Sequence, residues 1–138
     1  MIVRTEAEME RLGHDLAGRV RPGQLVTLSG PLGAGKTVLS RAVLRALGFG
    51  GDVSSPTYAI VHEYDDRTMR MPVVHADLYR LKDPDELQEL GLFDDTESLK
   101  LVEWPEMGGQ AFSRTDVAIT ITPLADGSRE VTIDNKGM

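Results

Sequence analysis

The chain has 138 residues, no cysteine and a formal net charge of −7. The length predicts a single domain over residues 1–138, large enough to bury a hydrophobic core. No apolar run approaches the ~20 residues of a membrane span, and the charged first segment does not resemble a signal peptide, so we expect neither a membrane nor a secreted protein. The missing cysteines exclude disulfides and thiolate metal sites and are typical of a cytoplasmic protein. The negative charge disfavours binding of nucleic acid by this chain alone, because phosphate backbones are bound by clusters of Lys and Arg.

The first predicted element is an amphipathic helix. Thr5 and Glu8 have the spacing of a capping box, in which two side chains satisfy free backbone N–H groups of the first turn. Apolar residues follow at helical spacing, at Met9, Leu12, Leu16 and Val20. We expect this helix to end near the Arg-Pro-Gly sequence at 21–23.

A glycine-rich segment comes next. Residues 30–37, Gly-Pro-Leu-Gly-Ala-Gly-Lys-Thr, match the phosphate-binding pattern G-x-x-x-x-G-K-[ST] at every required position. An apolar strand is predicted before it at 24–29, and a helix after it at 38–47. Glycines let backbone N–H groups turn toward a phosphate chain, and the helix N-terminus adds partial positive charge. Lys36 is predicted to reach the β- and γ-phosphates, and the Thr37 hydroxyl to bind Mg²⁺.

The rest of the chain alternates between strands and short helical segments. We predict strands at 58–64, 69–76, 99–102, 117–122 and 130–133, and a helix at 85–90 after Asp83 and Pro84. The first two strands are expected to form one hairpin, and the last two a second around Asp126 and Gly127. This order predicts an α/β fold: a P-loop NTPase-like three-layer domain with a mixed central sheet and added antiparallel strands.

Two acids end apolar strands, where a phosphate-loop ATPase needs a carboxylate. Asp77 follows Val-Val-His-Ala, and Glu103 follows Leu-Lys-Leu-Val. One is expected to serve Mg²⁺ and the other to orient the attacking water, although spacing does not say which does which. His75, two residues before Asp77, either positions water or phosphate or is a core or interface histidine with its hydrogen bonds satisfied.

Two further segments are candidates for the nucleotide site. Ser55 and Thr57 lie on a proline-containing loop beyond the phosphate-loop helix, where hydroxyls could contact a γ-phosphate; an ordinary Ser-Pro turn is the alternative. Trp104, next to Glu103, is expected either to pack near the nucleotide, to form a protein-binding surface or simply to pack in the fold.

Missing motifs narrow the choice of nucleotide and reaction. A guanine-specific protein would carry Asn-Lys-x-Asp, and the Asn-Lys at 135–136 is followed by only Gly and Met, so adenine is favoured. No segment resembles the arginine-rich lid of a small-molecule kinase. A metabolite kinase nevertheless remains an alternative, as does a binding module gated by nucleotide.

The combination of motifs resembles the TsaE family, the bacterial ATPases of tRNA threonylcarbamoyladenosine formation. Besides the phosphate loop, the resemblance rests on Ser-Pro-Thr-Tyr at 55–58, His-Ala-Asp-Leu-Tyr-Arg-Leu at 75–81 and Val-Glu-Trp-Pro-Glu at 102–106. These motifs occur in the family's order and cover nearly the whole chain. The last two are far more specific than the phosphate loop.

The resemblance implies binding of ATP and Mg²⁺, slow ATP hydrolysis by the chain alone, and action with the TsaD and TsaB proteins, through which tRNA would be engaged. It implies that Thr37 and Glu103 hold magnesium, and that Asp77 lies near the reacting phosphate and acts with Lys36 in catalysis. The full set of expected nucleotide contacts is Thr5, Glu6, Gly30, Leu32, Gly33, Ala34, Gly35, Lys36, Thr37, Val38, Ser55, Thr57, Asp77, Trp104 and Arg129.

Overall fold

A computed structural model describes residues 1–51, 61–83, 85–92 and 95–136. The strands are β1 (Ile2–Val3), β2 (Leu25–Ser29), β3 (Val61–Tyr64), β4 (Val73–Asp77), β5 (Leu99–Glu103), β6 (Val117–Pro123) and β7 (Arg129–Asn135). The helices are α1 (Glu6–Ala17), α2 (Lys36–Ala46) and α3 (Glu86–Leu90), and a 3₁₀ segment covers Pro105–Phe112. Over the described ranges, no helix has the length and apolar character needed to cross a membrane.

The strands form one mixed sheet in the order β1-β7-β6-β2-β5-β4-β3. The four central strands, β6, β2, β5 and β4, are parallel to one another, whereas β3, β7 and β1 pair antiparallel at the two sides. The mixed α/β sheet with added antiparallel strands is therefore confirmed, including both predicted hairpins. Because β2, β5 and β4 are parallel neighbours, their last residues lie side by side at the C-terminal end of the strands.

Each face of the sheet is covered by helical segments. Side chains alternate between faces along a strand, so Val26 and Leu28 of β2 join a core with α1 and α2, whereas Leu25 joins a second core. The second core includes Leu87 of α3 and Phe112 of the 3₁₀ segment. The arrangement is helix, sheet, helix, as the predicted three layers require.

Several predicted boundaries need correction. Thr5 is the N-cap of α1 and accepts a hydrogen bond from the Glu8 N–H at 3.1 Å, but the Glu8 carboxylate accepts from the Arg4 N–H rather than from Thr5. The helix ends at Ala17. Val20, predicted to belong to the helix, lies after it and is still buried in the core.

Strand boundaries also differ from those predicted. The strand predicted from 69 begins at Val73, because Pro72 has no N–H with which to extend the ladder. The predicted start of the helix near Asp83 and Pro84 lies partly outside the described residues, and the helix itself is Glu86–Leu90. β1 is an additional strand of two residues that pairs with β7.

The contact between α1 and α2 depends on a glycine. A Cβ on Gly13 would lie 2.5 Å from the Ala42 Cβ and 3.1 Å from the Leu39 carbonyl oxygen. We expect Gly13→Ala to destabilise the fold by up to about 2 kcal/mol, because the 2.5 Å approach places the overpacking cost toward the upper end of roughly 1–3 kcal/mol, above the helix-propensity gain of about 1 kcal/mol. Urea unfolding measures the difference.

The matched control is Gly18→Ala at the C-cap of the same helix. Gly18 has a φ of −74°, and its added Cβ would meet nothing closer than 3.4 Å. This control should be neutral or stabilising. Equal stability of the Gly13→Ala variant and the wild type would contradict this prediction, since it would show that α1 and α2 can move apart enough to accommodate the methyl group without loss of stability.

Candidate functional site

The glycine-rich loop joins β2, a central parallel strand, to the N-terminus of α2. Gly30, Gly33 and Gly35 have φ values of 152°, 78° and 112°, which other residues rarely adopt. A Cβ on Gly30 would also lie 2.5 Å from the Ile121 carbonyl oxygen of β6. Gly35 is the N-cap of α2 and has no side chain to cap it, so the first N–H groups of this helix are available to an anion.

Lys36, the first residue of α2, turns back across this loop. The residue is 5% exposed, its Nζ donates to the Gly30 carbonyl oxygen at 2.7 Å, and the same Nζ lies 3.6 Å from the centroid of the Trp104 ring. Burial lowers the pKa of the Lys36 ammonium, and the carboxylates of Glu103 and Asp77 act in the opposite direction. The Lys36 ammonium is therefore close enough to both acids to interact with them electrostatically.

Those acids are adjacent because of the sheet register. Asp77 ends β4, Glu103 ends β5, and the two are paired across the parallel ladder. Asp77 accepts a hydrogen bond from the Tyr79 N–H at 3.0 Å. Burial raises the pKa of the Asp77 carboxyl, and the nearby Glu103 raises it further, whereas the Tyr79 hydrogen bond and Lys36 lower it.

Glu103 has a different environment. It is 2% exposed, and its Oε2 lies 2.5 Å from Nε2 of His75, which is fully buried. Within the described part of the chain, Nδ1 of His75 has no hydrogen-bond partner. Of the two alternatives for His75, the structure shows a buried histidine that contacts Glu103 and fixes the orientation of its carboxylate.

Trp104 adopts an unusual backbone conformation between Glu103 and Pro105. Its φ of 59° and ψ of 51° are left-handed, and among the described residues it is the only non-glycine with positive φ. Such a conformation is costly and persists only where the surroundings hold it. Here the Trp104 N–H donates to the Leu28 carbonyl oxygen at 3.2 Å, and the ring packs against Tyr79 with centroids 5.0 Å apart.

A small cavity of about 80 Å³ opens beside the loop. Its lining residues come from α1, the loop, α2 and β7: Thr5, Glu6, Met9, Gly35, Val38 and Arg129. All but Met9 are among the predicted nucleotide contacts. Met9 appears in the sequence only as a helix-stripe residue, and nothing in its spacing distinguishes it from a core position.

The other predicted contacts are placed as follows. Leu32 is at the loop tip and 66% exposed, Ala34 is fully buried under the loop, and Thr37 lies in the first turn of α2. Ser55 and Thr57 lie outside the described residues. Arg129, the first residue of β7, contacts carbonyl oxygens of the loop.

The donor set suits magnesium only together with a phosphate ligand. Among residues 1–51, 61–83, 85–92 and 95–136, no group of three or more His, Asp or Glu side chains could hold a metal ion. Magnesium is usually bound by one or two carboxylates together with substrate phosphates. The Thr37 hydroxyl and the carboxylates at the adjoining strand ends fit that mode.

Fold and site together define an α/β protein whose parallel strands end in carboxylates around a glycine-rich loop and a buried lysine. The family model for the threonylcarbamoyl adenosine biosynthesis protein TsaE matches residues 3–131, and the chain belongs to this family.

Individual relatives agree with the family match. The chain is 43% identical over 99 residues to a tRNA threonylcarbamoyladenosine biosynthesis protein TsaE of Haemophilus influenzae, a match that covers 70% of the chain but only 61% of that protein. Proteins of the same name from Streptomyces coelicolor and Bacillus subtilis are 39% and 35% identical; the matches cover 94% and 88% of the chain and 91% and 75% of those relatives. The crystal structure of Bacillus subtilis YdiB superimposes with a TM-score of 0.75 at 26% identity, covering 99% of the chain and 84% of YdiB.

Proposed function

We propose that the chain is an ATP-hydrolysing accessory protein for the threonylcarbamoyladenosine modification of tRNA. It would bind MgATP as a P-loop NTPase and act with the TsaD and TsaB proteins in the cytoplasm. Membership of the TsaE family supports the place in tRNA modification. The nucleotide chemistry is supported by the site.

One observation carries the nucleotide part of the proposal. Lys36, Asp77 and Glu103 meet where β2, β4 and β5 end, beside the uncapped N-terminus of α2. Backbone N–H groups, a buried cation and two carboxylates are the parts that phosphoryl transfer needs: groups that hold the phosphates and groups that manage magnesium and water.

The surroundings of the two acids support a division of labour. Glu103 is held through Oε2 by His75, and no described residue forms a hydrogen bond with its other oxygen, so we assign Glu103 and Thr37 to magnesium. Bound magnesium would neutralise charge on the β- and γ-phosphates. Asp77 is more accessible and has a raised pKa, which suits a carboxylate that orients the attacking water. Lys36 would leave Gly30 and stabilise charge on the γ-phosphate.

The cavity beside the loop is the proposed site of the adenosine. Thr5 and Glu6 begin α1 at its rim, and Val38 and Met9 supply apolar surface for a base. Its 80 Å³ is smaller than a purine nucleoside, so a bound nucleotide would extend beyond it.

Reconstitution tests the proposal. Purified TsaB and TsaD are supplied with tRNA, threonylcarbamoyl donor and ATP, with and without this protein, and modified tRNA is counted per TsaD molecule. We expect repeated turnover only when the protein is present. Turnover that is equal without it would refute the accessory role. A phosphorylated product from a metabolite panel would favour a kinase, and full restoration by a hydrolysis-dead variant would favour a nucleotide-gated binding module.

The charge leads to a separate prediction about tRNA. With a net charge of −7, the isolated chain should not bind tRNA measurably at physiological salt. The TsaB and TsaD pair should instead raise its ATPase rate, since groups supplied in trans can be worth on the order of 10³–10⁵ in rate. Filter binding with labelled tRNA and phosphate release with each addition measure both. Tight tRNA binding by the chain alone, or an ATPase rate indifferent to the pair, would contradict this prediction.

A further inference from the structure

The Arg129 guanidinium spans two consecutive peptide units of the glycine-rich loop. Its Nε donates to the Ala34 carbonyl oxygen at 2.6 Å, and its Nη2 donates to the Gly33 carbonyl oxygen at 3.2 Å. The planar fork of Arg can reach two acceptors at once, whereas the single ammonium of Lys cannot reproduce that geometry. The contact of Arg129 with the loop therefore depends on the planar shape of its guanidinium as well as on its positive charge.

These contacts determine where the loop N–H groups point. In a trans peptide the C=O and the following N–H point in opposite directions, and the described residues contain no cis peptide. With the Ala34 carbonyl turned toward Arg129, the Gly35 N–H is turned away from it. The next N–H back, that of Ala34, donates to the Pro31 carbonyl oxygen at 3.2 Å inside the loop. Arg129 thus fixes the Gly35 amide at the start of α2.

The arginine is itself firmly anchored. It is the first residue of β7 and pairs with Val3 of β1 on one side and with Pro123 of β6 on the other. Its Nη1 also donates to the Gly127 carbonyl oxygen at 3.3 Å, in the turn that precedes β7. The hairpin therefore provides a fixed support for a loop of small residues that has few side chains to pack.

We propose that Arg129 is a positioning residue that holds the glycine-rich loop in its phosphate-accepting conformation before any nucleotide is bound. The inference rests on the proposed function in that the accepted group is the phosphate chain of ATP. A loop already ordered by the hairpin loses less entropy when the ligand binds, so its affinity is higher. Arg129 also lines the cavity beside the loop, and a direct charge contact with nucleotide is the competing role.

Substitution of Arg129 by Lys distinguishes the positioning of the loop from a direct charge contact with nucleotide. Arg129→Lys retains the positive charge and loses the fork, whereas Arg129→Gln loses both. Exposed Arg114→Lys is the matched control. ADP affinity is measured by calorimetry, and the ¹⁵N–¹H resonances of Ala34 and Gly35 are followed in the nucleotide-free proteins.

If Arg129 positions the loop, both Arg129 variants should bind ADP more weakly, on the order of tenfold. Both should also shift or broaden the Ala34 and Gly35 resonances without ligand. The control should match the wild type in each measurement. Wild-type affinity in Arg129→Lys with weak binding in Arg129→Gln would show a charge contact and overturn the inference, as would unchanged loop resonances. If the wild type binds no nucleotide, the proposed function fails, while the nucleotide-free spectra still test the role of Arg129.

Discussion

Lys36→Ala is expected to abolish most ATP hydrolysis and to weaken nucleotide binding. The ammonium contacts the loop through the Gly30 carbonyl oxygen and interacts electrostatically with the two carboxylates at the strand ends. Removal of a preorganised charge partner of this kind costs about 2–4 kcal/mol of transition-state stabilisation. Phosphate release measures the rate, and calorimetry with MgATP measures the affinity.

The structure adds a second way to measure binding. The Lys36 Nζ is hydrogen bonded to the Gly30 carbonyl oxygen and lies over the Trp104 ring. If the loop binds a phosphate chain as proposed, we expect the ammonium to move away from both. Trp104 is the only tryptophan, so its emission should change when nucleotide binds. In Lys36→Ala the ring has already lost its cation, so this change should be smaller at equal occupancy.

The control is Lys136→Ala. The Lys136 side chain is 59% exposed, and within the described part of the chain its one ion pair is a loose contact of 3.9 Å with Asp134. Its removal changes the net charge by the same amount and should leave hydrolysis, affinity and tryptophan emission as they are. Wild-type hydrolysis and affinity in Lys36→Ala would remove the basis for assigning the loop to phosphate.

Local sequence was enough to predict the loop and the acids that face it. The glycine spacing determines the backbone of 30–37, and an apolar run that ends in a carboxylate defines a strand end. Parallel strands share one edge, so the meeting of Asp77 with Glu103 follows once the strands are known to be parallel neighbours. The capping role of Thr5 could also be predicted from local sequence, because its hydroxyl caps a helix that begins at the next residue.

Contacts between distant segments could not be predicted in this way. The His75 contact with Glu103 depends on the β4–β5 register, and the Arg129 contacts with Gly33 and Ala34 join residues 95 and more positions apart. The left-handed backbone conformation of Trp104 could not be predicted from the sequence either, since a residue before proline is expected to be extended. Such features arise from packing across the fold.

Two isosteric substitutions, Asp77→Asn and Glu103→Gln, are expected to have large and different effects on ATP hydrolysis and on the magnesium requirement. Asp77→Asn should bind MgATP nearly as the wild type does, while hydrolysis falls on the order of 10²–10⁴-fold through loss of a positioned acid–base group. A group used only in the transition state lowers kcat more than it changes ground-state binding. Glu103→Gln should instead raise the Mg²⁺ concentration needed for half-maximal binding and hydrolysis, since it removes charge next to the cation.

The stability of these variants gives a further check on Asp77. Its pKa is raised in the folded protein, so the ionised carboxylate is disfavoured there relative to the unfolded chain. The resulting destabilisation is absent below the unfolded pKa, grows as pH rises from the unfolded pKa through the raised folded pKa, and is complete above the latter. Nucleotide-free Asp77→Asn should therefore be at least as stable as the wild type at pH 7, and lose that advantage in acid. Thermal unfolding across this pH range measures it.

Magnesium titrations of ATP binding and of phosphate release, performed on both variants, decide between the roles. Glu106→Gln is the control, because Glu106 is exposed and also acts electrostatically on Lys36, so loss of its charge should leave the magnesium requirement unchanged. A raised magnesium requirement in Asp77→Asn with a normal one in Glu103→Gln would exchange the two assignments. Because Glu103 is buried against His75 and Asp77 is the more accessible acid, we expect the magnesium effect at Glu103 and the loss of turnover at Asp77.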